Sequence, residues 1–222
     1  MNERALCRTR ITFRKGDPLK YISHLDLLRA WERILRRAGV PLAYSQGYSP
    51  HPRITIAMPL PVGCTGGREE VDVLTTEPLC GEEMIALLEP ALPTGIKVVS
   101  AAPVPLRAPA RPALIRRADY EVALAGVPAA EVARRVEDLL TRDAVEVTFR
   151  RKTYNLRPLI ASLRVRPAGE ATAVGGTTAV VDMALLRDAG GRIGRPDVVL
   201  EALGLSAHAR RIHRTRIVFE GE

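Results

Sequence analysis

The chain has 222 residues, 46% of them hydrophobic, and a mean hydropathy close to zero, which fits a folded globular protein and excludes an intrinsically disordered one. A formal net charge of +8 and an isoelectric point near 9.9 favour an anionic partner: nucleic acid, an acidic protein or an anionic membrane surface. Three dispersed cysteines (Cys7, Cys64 and Cys80) exclude an iron–sulfur cluster of the C-x-x-x-C-x-x-C kind within this chain, and no apolar run approaches the roughly 18 residues needed to cross a bilayer.

An odd, sparse set of thiols and no apolar leader after Met1 place the protein in the cytoplasm as an expectation. Only four of the 33 cationic residues are lysine, and a GC-rich coding sequence would also produce arginine in excess. The positions of the arginines therefore matter more than their number.

In chain order, residues 8–13 alternate charged and apolar side chains and read as a strand. Residues 23–38 read as a helix, opened by Ser23-His24-Leu25-Asp26 as a capping-box-like start and closed by Gly39 and Pro41. Residues 54–58 and 70–74 read as strands, 82–92 as a helix and 96–100 as a strand. That order is β-α-β-β-α-β, the ferredoxin-like pattern. Residues 102–113 carry Pro103, Pro105, Pro109 and Pro112, so they suit neither a helix nor a central strand and mark a boundary.

The second half reads as strand 120–124, helix 129–140, strand 145–150, short helix 156–163, strands 163–166 and 178–183, helix 196–203 and strand 212–219. The expected fold is therefore α+β, with two tandem ferredoxin-like halves over residues 1–105 and 114–222.

The first helix places Leu27, Leu28, Trp31, Ile34, Leu35 and Ala38 on one face, with Arg29, Arg33, Arg36 and Arg37 opposite. Sixteen residues span about 24 Å, enough for a guanidinium row to follow a phosphate backbone. The alternative is a solvated amphipathic helix in which Glu32 pairs with Arg36. Trp31 lies mid-stripe and belongs to the core.

The segment after this helix is dense in chemistry: Tyr44, Ser45, Gln46, Gly47, Tyr48, Ser49, Pro50, His51, Pro52 and Arg53. Two X-Pro steps hold the backbone extended. Two phenols, an amide, an imidazole and a guanidinium on such a frame suit single-stranded RNA, whose unstacked bases are read by stacking and by contacts to their edges. A merely structural loop is the other reading.

Tyr21-Ile22-Ser23-His24-Leu25-Asp26, then Arg33, Arg36-Arg37-Ala38-Gly39 and Pro41, then residues 44–52 and Pro59-Leu60-Pro61-Val62-Gly63 closely resemble the bacterial radical SAM-linked protein family. That family is a domain of unknown function associated with, or fused to, B12-binding-type radical SAM proteins. Asn155-Leu156-Arg157-Pro158 and Arg195-Pro196-Asp197 resemble its weaker C-terminal motifs. The resemblance implies a radical SAM protein as partner and an accessory role for this chain, with tRNA or rRNA as the anionic target; no cofactor of its own is expected, and the lack of a long apolar run leaves no membrane among its partners.

On this reading Arg29, Arg33, Arg36 and Arg37 hold phosphates, while Tyr44, Gln46, Tyr48, His51 and Arg53 contact bases or orient the strand. A second expectation is a protein–protein adaptor for that partner. A third is a metal-independent endoribonuclease with His24 and His51 as general base and acid and Arg53 steadying the phosphorane; the fold pattern is similar to that of CRISPR repeat-processing endoribonucleases. His24, Asp26, His51 and Asp72 are legal metal ligands, but their spacing matches no metal motif, so no metal is expected. Arg210, Arg211, His213, Arg214 and Arg216 form a terminal basic cluster that suits RNA, an acidic partner or an exposed strand face.

Overall fold

The computed structural model describes residues 6–169 and 176–222. It divides into two compact units, the first ending at Leu114 and the second beginning at Ile115, each of mixed α/β structure with antiparallel strand pairing. Residues 102–113 all lie in the first unit.

The first unit runs β1 (Cys7–Lys15), α1 (His24–Arg37), β2 (Ile54–Ile56), β3 (Cys64–Thr75), α2 (Gly81–Leu88), β4 (Ile96–Pro103) and the single turn α3 (Arg111–Leu114). Strand β1 is central, antiparallel to β3 on one side and to β4 on the other, and β2 lies antiparallel on β3. The register sets Arg10 opposite Asp72 and Thr12 opposite Glu70, so charged residues share one face of the sheet while Ile11, Phe13, Val71 and Val73 share the other. Both helices lie on the apolar face: Leu27, Trp31 and Leu35 of α1 and Met84 and Leu88 of α2 join that core.

Helix α1 begins and ends as its residues dictate. Ser23 Oγ accepts the Asp26 N–H at 3.2 Å and donates to the Asp26 carboxylate at 2.7 Å, which satisfies one donor of the first turn. At the other end Gly39 takes a φ of +69°, its N–H reaches the Arg36 carbonyl, and the Val40 N–H reaches back to the Leu35 carbonyl. This is a Schellman stop, and the left-handed residue in it is the reason for glycine. Helix α2 ends at Leu88, short of the expected residue 92, because a 3-10 turn over Glu89–Ala91 takes over where Pro90 lacks an amide.

The second unit runs β5 (Ile115–Ala125), α4 (Ala129–Leu140), β6 (Glu146–Phe149), β7 (Lys152–Asn155), β8 (Ile160–Pro167), β9 (Thr177–Leu186), α5 (Pro196–Ala202) and β10 (Ala209–Phe219). Strand β5 is central between β10 and β9, and β8 lies on the far side of β9, all antiparallel. Two expectations need correction. The strand at residues 145–150 is one arm of the β6–β7 hairpin, which forms its own two-stranded sheet. The helix expected over 156–163 is a single 3-10 turn, Arg157–Leu159, before β8 begins at Ile160. Asn155 explains both: its side-chain oxygen accepts the Val145 N–H at 2.9 Å and the Arg157 N–H at 3.0 Å, which closes the base of the hairpin and starts the turn.

The Phe13 and Trp31 rings meet edge-to-face at 4.9 Å, and both side chains are wholly buried. Trp31→Ala is expected to cost about 3–5 kcal/mol. Trp31→Phe should cost much less, because Trp31 Nε1 is buried with no acceptor and phenylalanine discards that orphan donor. Urea unfolding followed by circular dichroism measures both; equal losses would mean that the indole N–H is satisfied in the folded protein.

Candidate nucleic-acid interface

The chain leaves α1 through Gly39 and is tied at once to the edge of the sheet. The Ala43 N–H donates to the Leu74 carbonyl at 2.9 Å, the Arg53 N–H to the Ala43 carbonyl at 2.9 Å, and the Leu74 N–H to the Arg53 carbonyl at 3.0 Å. Above this base Tyr44 bridges Pro52, the Ser45 N–H reaches the His51 carbonyl at 2.8 Å, and the His51 N–H reaches Ser45 Oγ at 3.0 Å. Buried Pro52 anchors the base. Residues 46–50 project from it into solvent, and the Tyr48 side chain at the tip is fully exposed.

The arginines expected as one phosphate-binding row have separate duties. Arg36 lies over the Tyr44 ring at 5.8 Å, rather than pairing with Glu32, so the helix face and the loop meet there. Arg33 is exposed one turn before it. Arg29 makes an exposed ion pair with Asp26 at 3.4 Å near the start of the helix, which contributes little. Arg37 turns the other way and donates to the Ala91 carbonyl, so it secures the turn after α2 and leaves the row.

Arg53 also parts from the loop. Ile54 and Ile56 face the helices, so Arg53 and Thr55 face the opposite side of the sheet. There Arg53 lines a cavity of about 410 Å³ with Arg8, Asp72 and Leu106. This face, opposite α1 and α2, is occupied by an ion-pair network. Asp72 accepts from Arg8 and, at 2.8 Å, from Arg10; Glu70 accepts from Arg111 at 2.8 Å. Burial raises the Glu70 pKa, and Arg111 and then Arg10 oppose that rise. Arg8 also donates to the Ala108 carbonyl at 2.7 Å and holds the Pro-rich segment across the sheet. Asp72 is thus committed to guanidinium groups.

His24 and His51 are not brought together. His24 opens α1, whereas His51 stands at the loop base, beyond the other end of that helix, and a helix of 14 residues is roughly 20 Å long. One phosphodiester does not reach both. In the second unit Arg214 is buried and Arg216 donates to Asp119 at 2.7 Å, so the terminal cluster is partly consumed within the fold.

What the structure leaves of the expected set is smaller: Arg33 and Arg36 on the exposed helix face, and Tyr44, Gln46, Tyr48 and His51 on the loop that follows, joined by the contact of Arg36 with Tyr44. Two features escaped the sequence reading. The strap made by residues 104–110 has a signal in the alternation of Arg8 and Arg10 against Glu70 and Asp72. The tip of the β6–β7 hairpin has one in the consecutive arginines Arg150 and Arg151.

Residues 8–194 match the family model described as an uncharacterized protein conserved in bacteria, DUF2344. The chain belongs to that family. Its matched span takes in α1, the loop over residues 44–52, the strap and the β6–β7 hairpin. No curated protein matches the chain. Among the described residues no helix of this DUF2344 protein is long and apolar enough to cross a membrane.

His24 generates a pH prediction. Partial burial lowers its pKa below 6.5, and its Nδ1 is buried without a partner, so a proton there would find no acceptor. The folded state thus binds fewer protons than the unfolded state just below pH 6.5. Stability contributed by neutral His24 is present above that value and lost as pH falls through the lowered pKa. His24→Gln should flatten the fall in urea midpoint between pH 7.5 and pH 5.5; an unchanged slope would show that other groups cause it.

Proposed function

We propose that this protein is an RNA-binding accessory module for tRNA or rRNA, working in the cytoplasm beside a radical SAM protein. The observation that carries the reading is the loop tip. A fully exposed aromatic side chain, Tyr48, stands on a frame closed by three hydrogen-bonded or bridged pairs, with a second ring, Tyr44, backed by the Arg36 guanidinium. An exposed ring costs solvation and gains nothing inside the fold, while a base stacked on it contributes about 1–3 kcal/mol. Arg33 and Arg36 supply cations for the backbone of the same strand, and Gln46 and His51 supply hydrogen-bonding groups for base edges.

The strand orders support ferredoxin-like halves. The first unit runs β4-β1-β3-β2 and the second β10-β5-β9-β8, each with two helices between the strands and with the β6–β7 hairpin as an insertion in the second. The radical SAM partner rests on the motif resemblance, and the dispersed cysteines assign any cluster to that partner.

Fluorescence anisotropy with short single-stranded RNA tests the reading. Tyr48→Ala should weaken binding about five- to 100-fold with little change in salt dependence. Arg33→Ala combined with Arg36→Ala should reduce the salt slope by about 1.4, two phosphates' worth for a single strand. If the wild-type chain binds no RNA at low salt, or if both variants bind as the wild type does, the reading fails.

One observation favours the adaptor as a second reading. Tyr21, Leu25 and Val62 are 74%, 61% and 60% exposed, and the Gly63 N–H donates to the Lys20 carbonyl at 2.8 Å, which draws their two segments together. A cluster of exposed apolar side chains suits a protein partner. Replacing all three by serine should abolish co-purification with the radical SAM protein and leave RNA affinity intact; retention of the partner by the triple variant removes this reading.

A further inference from the structure

The second unit contains a concave site that the loop reading does not use. Its wall is one face of the β6–β7 hairpin. Phe149 pairs with Lys152 and Val147 with Tyr154 in the antiparallel register, so Phe149, Lys152 and Tyr154 project to the same side. Facing them is the loop over residues 192–195, and between the two lies a cavity of about 280 Å³ lined by Phe149, Arg150, Lys152, Tyr154, Arg192 and Arg195.

That loop is built to stay in place. Asp188 Oδ1 accepts the Arg192 N–H at 2.8 Å, the Asp188 N–H reaches the Arg192 carbonyl at 2.8 Å, and the Gly194 N–H reaches the Leu186 carbonyl at 3.0 Å. A side chain at residue 194 would meet the Leu159 carbonyl at 2.9 Å and Leu185 Cβ at 3.0 Å, so glycine is what lets the loop sit against the sheet.

Four cations share this cavity, and aromatic rings hold three of them. The Arg192 guanidinium lies over Tyr154 at 4.2 Å, and Phe149 carries Arg195 at 4.5 Å and Arg150 at 5.3 Å. A guanidinium over a ring can still donate through its N–H groups, although Arg195 gives two of its own to Asp197. Two carboxylates answer the four cations. Asp197 takes a close two-point contact from Arg195, and Asp188 lies 3.7 Å from Arg192. Among the described residues, Arg150 and Lys152 have no carboxylate partner. Burial raises the Tyr154 pKa above its usual value of 10, so its hydroxyl stays protonated and able to donate.

The backbone is strained where this charge is delivered. Arg150 and Arg151 form the two-residue turn of the hairpin with φ of +49° and +65°. Both are left-handed positions that such turns normally give to asparagine and glycine. Two bulky cations at a turn that disfavours their backbones, beside other cations, raise the energy of the empty site twice over, and an anion relieves the electrostatic part.

We infer that this cavity binds a nucleoside 5′-phosphate, either as a free nucleotide or as the terminal nucleotide of an RNA strand. The two cations left without a carboxylate, Arg150 and Lys152, select the phosphate, which accepts charge-assisted hydrogen bonds from both. The cavity is too large for phosphate alone, whose volume is roughly that of three waters of ~30 Å³ each, so room remains for the sugar and a flat base beside the stacked guanidinium planes. The site is separate from the Tyr48 loop and does not rest on it.

Calorimetry on the whole chain tests this with adenosine 5′-monophosphate, inorganic phosphate and adenosine. The monophosphate should bind, inorganic phosphate should compete with it at weaker affinity, and adenosine should bind least. Arg192→Gln and Lys152→Gln should each weaken the monophosphate about tenfold or more, the scale of one charge-assisted hydrogen bond, at unchanged Tm. Arg150→Asn with Arg151→Gly should raise Tm and weaken binding together. The Tyr48→Ala variant should bind the monophosphate as the wild type does, so loss of the RNA reading leaves this one standing. A tetranucleotide with a 5′-phosphate that outbinds both its 5′-hydroxyl form and the monophosphate assigns the site to strand ends; a monophosphate that binds as well or better assigns it to free nucleotide. The proposal is overturned if neither the monophosphate nor inorganic phosphate binds, or if the Arg192→Gln and Lys152→Gln variants bind as the wild type does.

Discussion

A sheet with helices on only one face must stabilise the other face by different means, and here that means is arginine paired with carboxylate. In the first unit Ile11, Phe13, Val71 and Val73 face α1 and α2, so Arg8, Arg10, Glu70 and Asp72 face away from them. Their charges neutralise one another across β1 and β3, and the strap over residues 104–110 closes over them by accepting from Arg8. The second unit carries a similar set of pairs on its strands. Arg166 binds Glu121 at 2.6 Å and Asp182 at 3.0 Å, and Asp119 draws in Arg117 and Arg216. Breaking the buried Arg8–Asp72 pair would leave one charge uncompensated, so Arg8 is fixed in place; the partly exposed pairs of the second unit contribute less.

This sorting changes what the net charge means. A charge of +8 spread evenly would describe solubility and little else. Much of the arginine is instead spent inside the fold: Arg8, Arg10 and Arg111 on the first sheet, Arg37 on the Ala91 carbonyl, Arg135 on the carbonyls at Leu203 and Gly204. Of the cations the pairing leaves over, Arg36 stands at the root of the loop in the first unit, and Arg150 and Lys152 line the cavity of the second. A coding bias toward arginine can fill a surface, but it does not stack a guanidinium on an aromatic ring in both places.

The first unit was legible because its signals are local. Ser23 at the helix start, a 3.6-residue apolar stripe through Trp31 and Leu35, and Gly39 at the stop all act within a few residues of one another. The second unit hid its hairpin for the opposite reason. An Arg150-Arg151 turn lacks the Asn-Gly signature of a two-residue connection, and the asparagine that closes the hairpin, Asn155, reads in sequence as a helix cap. The candidate site failed in a more instructive way. Helical periodicity grouped Arg37 with Arg36 and chain proximity grouped Arg53 with Tyr48, yet the carbonyl at Ala91 and the two-residue period of β2 send them elsewhere. The second of these was visible in advance, since Ile54 and Ile56 must face the core and Arg53 therefore cannot lie with them.

The two sites share one device and differ in shape. In each, an arginine lies over a tyrosine ring, Arg36 on Tyr44 at 5.8 Å and Arg192 on Tyr154 at 4.2 Å, and the closer contact removes part of the rotamer freedom that an anion would otherwise have to remove on binding. In the first unit that pair stands at the root of a projecting loop, whose exposed ring at Tyr48 would, on the proposed RNA-binding reading, meet a base that is already unstacked. In the second it lines a hollow between a hairpin and a loop, which admits one nucleotide and leaves its neighbours outside. A convex tip contacts any position along a strand, whereas a cavity of this size accepts an end or a free monomer. The shapes alone therefore set the two sites different tasks, even where the chemistry that holds the phosphate is the same.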